Sequence, residues 1–98
     1  MADVAEPGRL EDLAASVVTQ VEVWILEGLA HDVALALAQN ALPLAEGIPA
    51  VGGVQRRAHA RVLIALLLLL DDPAAGDLAT ALMEVLREET RQERVLAS

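Results

Sequence analysis

Glu27 and His31 are the two side chains whose spacing comes nearest to metal chemistry, because residues four apart share one face of a continuous helix. Gly28 lies between them and is placed to end that helix. A carboxylate-bridged dimetal site also calls for several Glu and a Glu-x-x-His element on facing helices, and this chain has no such element. A capping or surface role is expected for both residues. His59 falls on the line of Leu63, Leu66 and Leu70, which places it toward an apolar interior. With His31, or with its own copy across a dimer, it is the candidate haem ligand. One Trp and Ala-rich faces offer little of the bulky lining that such a pocket uses, so the competing reading is a hydrogen-bonded interior or interfacial histidine. His31 and His59 are the two candidate cofactor residues, and no metal site is assigned.

The remaining chemistry is sparse. Ser16, Thr19, Thr80, Thr90 and Ser98 stand in no nucleophile-elbow context. The chain has no Cys, which removes thiolate ligands, a cysteine nucleophile and disulfides. Glu11-Asp12, Asp71-Asp72 and Glu88-Glu89 are sequence neighbours that point in different directions on a helix and suit caps and solvated faces. The glycines of PLAEGIPAVGG follow neither the phosphate-binding loop spacing with its Lys nor the dinucleotide fingerprint. No catalytic residue is assigned, and a non-enzymatic protein is expected.

A net charge of −8 disfavours nonspecific nucleic-acid binding, which works by neutralising phosphates. Arg56, Arg57 and Arg61, with His59 among them, form a basic cluster that reads as a solvated helix end. The first fifty residues hold eight acids and one base, Arg9. Designed bundles interleave both signs on their surfaces, so the segregation favours a natural chain over a de novo designed one. The absence of Lys, with Ala, Leu, Val and Arg abundant, fits a GC-rich genome. The acidic N-terminal stretch lacks the basic and apolar regions of a secretory signal, and a cytoplasmic location is expected.

The elements that must position these residues are helical. Leu10, Leu13, Ala14, Val17, Val21, Trp24 and Ile25 follow the spacing of one helical face and predict a helix over 9–27. Gly28 predicts a break, and Asp32 is placed to cap a second helix over 33–42. Asn40 shares a face with Val33 and Leu37, a polar residue on a core stripe, although an exposed Asn near a helix end is the plainer reading. Pro43 and the glycines that follow predict a loop over 43–53. A third helix is expected over 54–70, stopped by Asp71-Asp72-Pro73, with Asp72 capping a fourth over 74–96. Leu78, Ala81, Leu82, Val85 and Leu86 form the apolar stripe of that fourth helix, and REETRQER extends it as a charged end with Glu84–Arg87 and Glu88–Arg91 pairs. The expected fold is a single all-α domain, a small four-helix bundle or a pair of helical hairpins, completed by oligomerisation.

That last expectation rests on Val62 to Leu70, VLIALLLLL, nine consecutive apolar residues. As a helix the run is about 13 to 14 Å long, too short to span a bilayer. Without a polar face it calls for protein on every side. A chain of 98 residues that is 55% hydrophobic has more apolar surface than one small core readily hides. A homodimer or higher oligomer is expected, with a seam formed by Leu66, Leu67, Leu68, Leu70 and the Trp24 region, in a protein that also serves as an adaptor or regulatory partner. Two rival readings are a small haem- or metal-binding protein and reversible membrane association, the latter disfavoured by the negative charge.

Overall fold

The computed structural model describes residues 9–47 and 53–97. Four helices occupy them: α1 (Arg9–Leu26), α2 (His31–Glu46), α3 (Gly53–Leu69) and α4 (Pro73–Ala97). Each packs on its neighbours in sequence, and α4 closes onto α1, while among the described residues the backbones of the diagonal pairs stay farther apart. The α1–α2 and α3–α4 turns therefore lie at the same end of the bundle. Leu29 of the first turn and Leu70 of the second line one depression of about 260 Å³ there.

Spacing accounts for α1. Leu10, Ala14, Val17, Val21 and Trp24 recur at intervals of three and four, and all are buried. The helix stops as Gly28 predicts. Gly28 takes φ +106°, and the Leu29 N–H donates to the Trp24 carbonyl while the Gly28 N–H donates to that of Ile25. These two bonds satisfy carbonyls that the helix end would otherwise leave open.

Helix α2 departs from expectation at both ends. It begins at His31 after an N-cap, Ala30, that has no side-chain cap. Asp32 is already helical and accepts only the N–H of the adjacent Val33, at 2.9 Å. At the other end the helix runs through Pro43 to Glu46, where a loop over 43–53 was expected. The reason lies in a second stripe, Ala34, Leu37, Ala41 and Leu44, all buried. Proline removes one backbone bond, to the carbonyl of Gln39, a residue on the exposed side of the helix. Burying Leu44, worth about 1.5 to 3 kcal/mol, is comparable with the ~3 kcal/mol that an interior proline costs. Gly47, at φ +79°, then closes the helix. Residues 48–52 of the expected loop lie outside the described residues.

The α3–α4 hairpin follows the sequence closely. Asp71 takes φ +54°, a conformation Asp tolerates better than most residues. Asp72 caps α4: its Oδ1 accepts the N–H groups of Ala74 at 2.8 Å and Ala75 at 3.3 Å. Pro73 takes the first helical position, where its missing N–H costs nothing. The buried line of α4 is rotated relative to expectation, passing through Ala75 and Ala79 to Leu82, Val85 and Leu86, with Leu78 partly covered beside it. Small residues on that line let the helices approach closely. No described helix is long and apolar enough to cross a membrane.

Candidate functional site

Arg56 occupies the junction of α1, α3 and α4. Its guanidinium donates two bonds to Glu89, Nη2 to Oε2 at 2.8 Å and Nε to Oε1 at 3.5 Å, and Nη1 donates to Oε2 of Glu11. Its side chain is only 19% exposed. The planar fork of Arg suits this two-point contact, which one ammonium does not reproduce. Arg56 is held protonated more firmly than usual, chiefly by the Glu89 hydrogen bond, against the opposing effect of burial and with further help from Glu11. For Glu11, burial would raise the carboxyl, but the hydrogen bond and charge of Arg56, together with a bond to its own backbone, hold it below its ordinary value. Arg56 is thus a clasp joining three helices, where a solvated helix end was expected.

His59 and Asn40 meet between α2 and α3. Asn40 Nδ2 donates to the Ala36 carbonyl at 2.9 Å, which turns its Oδ1 toward His59 Nδ1 at 3.1 Å. The bond forms in the tautomer that carries the ring proton on Nδ1. The Asn read as exposed is therefore half of a helix–helix polar contact, and half-buried His59 is the other half. His31 is exposed at the start of α2, nine residues before Asn40, or about 13 Å along the helix. The two histidines do not converge on one ligand. Glu27 and His31 are separated by the turn at Gly28 and share no helix. Among the described residues no three His, Asp or Glu side chains gather as metal ligands. The hydroxyls of Ser16 and Thr19 bond back to the carbonyls of Asp12 and Ala15 on their own helix.

The outer surface differs from the seam expected from sequence. Trp24 and Leu67 face the chain's own core, and Leu66 and Leu70 are partly covered by it. Leu63 and Ile64 are buried as well. Val62, Leu68 and Leu69 are open, with Leu69 79% exposed. On α3 the residues Ala58, Val62, Ala65 and Leu69 stand at intervals of four, three and four, and all four are exposed. They make a wholly apolar outward face, flanked by Leu66 on one side and Leu68 on the other.

Beside this face, α3 and α4 form a groove of about 650 Å³ lined by Arg57 and Arg61 of α3 and by Leu86, Arg87, Thr90, Arg91 and Arg94 of α4. Glu88 and Arg91 form the expected pair at three-residue spacing on its α4 side. The meeting of these arginines across one groove depends on how α3 and α4 pack, which the spacing along either helix does not give. Compared with known proteins, the chain matches no family model, no curated protein and no solved structure.

Proposed function

We propose that the protein is a non-enzymatic helical interaction module that self-associates through the outward face of α3. The observation that supports this is the exposed stripe Ala58, Val62, Ala65 and Leu69 on a helix with no polar residue after Arg61. Contiguous apolar surface of this kind usually marks an association site. The order of sizes favours a second copy as the occupant. In an antiparallel pairing about a two-fold axis midway along the stripe, Ala58 lies opposite the partner's Leu69 and Val62 opposite the partner's Ala65. Each small residue then meets a larger one, the arrangement that lets two surfaces interdigitate. Leu66 and Leu68 extend the contact on either side. Trp24 and Leu67 support it from within by holding the helices in place.

The test is a double substitution, Val62→Glu with Leu69→Glu, followed by sedimentation equilibrium and helix content by circular dichroism. A folded protein of lower mass than the parent supports the reading. A variant with unchanged mass overturns it.

A further inference from the structure

Five of the seven basic residues in this chain line the α3–α4 groove, although the molecule carries a net charge of −8. Helix stability explains only part of the placement: Arg94 suits the last turn of α4 and Arg91 pairs with Glu88. Arg57 stands near the N-terminus of α3, where the helix dipole disfavours a cation. Core packing does not explain it either, since Arg61, Arg87, Arg91 and Arg94 are exposed. Arg61 and Arg87 have no ion-pair partner among the described residues. The Glu88–Arg91 pair is solvent-exposed, so exchanging Glu88 for an incoming carboxylate costs little.

We infer that this groove binds an acidic segment of a partner protein. The spacing fits a helical segment in particular. Arg57 and Arg61 are four apart, as are Arg87 and Arg91, and carboxylates at every fourth residue of a helix repeat at the same interval of about 6 Å. The guanidinium forks supply charge and direction, while Leu86 and Thr90 form a floor without opposing charge. Nucleic acid fits less well. The α4 row from Arg87 to Arg94 covers about 10 Å, beyond which a longer polyanion meets a predominantly acidic molecule. The chain's one aromatic residue, Trp24, is buried and cannot stack on a base. This inference does not depend on self-association, because its lining belongs to one chain.

The experiment is a fluorescence-polarisation titration of the whole protein with a labelled Ala-based helical peptide carrying Glu at every fourth position. The comparison probes are its Gln counterpart, inorganic pyrophosphate and a short single-stranded oligonucleotide. Salt-sensitive binding of the Glu peptide, absent for the Gln peptide and weakened at least about tenfold in the double variant Arg61→Gln/Arg87→Gln, is the expected result. Circular dichroism checks that the double variant folds, and the single variant Arg87→Gln gives the same reading should it not. No binding of the Glu peptide, equal binding of the Gln peptide, or binding indifferent to both variants overturns the inference. Tighter binding of pyrophosphate or the oligonucleotide than of the Glu peptide also overturns it, in favour of a phosphate ligand.

Discussion

Arg56 and Glu89, 33 positions apart in sequence, face each other through two hydrogen bonds, and the same guanidinium holds Glu11 of a third helix. The contact joins α1, α3 and α4 near the ends of the bundle remote from its two tight turns. Replacing Arg56 by Gln leaves two half-buried carboxylates without their cation. A loss of about 1 to 3 kcal/mol is expected, read from chemical denaturation at neutral pH.

The same contact sets a dependence on acid. Glu11 has its carboxyl lowered in the folded protein, so its contribution is fully present above the ordinary carboxyl value of the unfolded chain and is lost as pH falls through the lower folded value. Stability measured from pH 6 down to pH 3 should therefore fall less steeply in Glu11→Gln than in the parent at the acid end. Equal slopes would show that Glu11 does not contribute.

The Asn40–His59 contact should behave as a coupled pair. Asn40→Ala removes the acceptor of the His59 Nδ1 proton and should cost about 1 kcal/mol, with much of that loss absent when His59 is already Ala. A double-mutant cycle measures the coupling directly, and additive losses would argue against the bond.

Pro43→Ala should stabilise the protein by about 1 to 2 kcal/mol, because the helix continues past Pro43 and alanine restores the missing backbone bond to Gln39. Part of that gain is offset by the greater freedom alanine gives the unfolded chain. The urea midpoint is the measurement. A destabilised variant would mean that Pro43 fits its site better than a regular helical residue does.

Pro43 also shows where the sequence was hard to read. Proline followed by several glycines outweighed Ala41 and Leu44, whose value comes only from burial against neighbouring helices. By contrast, Gly28 and Asp72-Pro73 act through local geometry, and both turns were legible. The candidate site divides along the same line. The spacing of α3 puts His59 on the line of Leu63 and Leu66, and it is half-buried there. Its partner Asn40 was not legible, since the contact depends on the facing of α2 and α3. Arg56 and the arginine groove were obscured for the same reason, as each is assembled from residues on different helices.

The leucine run gives a contrast between neighbouring positions. Leu67 is buried, so Leu67→Glu places an unpaired charge in the core and should unfold the chain, at a cost above about 4 kcal/mol. Leu69 is open in the single chain, so Leu69→Glu should preserve the helices and lower only the mass. Thermal melting by circular dichroism separates the two effects. Similar melting of both variants would remove the distinction between core and seam.

The most direct test of self-association is the molar mass of the unsubstituted protein, measured by light scattering across a dilution series in detergent-free buffer. The α3 seam predicts a dimer or larger species that persists on dilution. A steady 10.3 kDa at every concentration would contradict it.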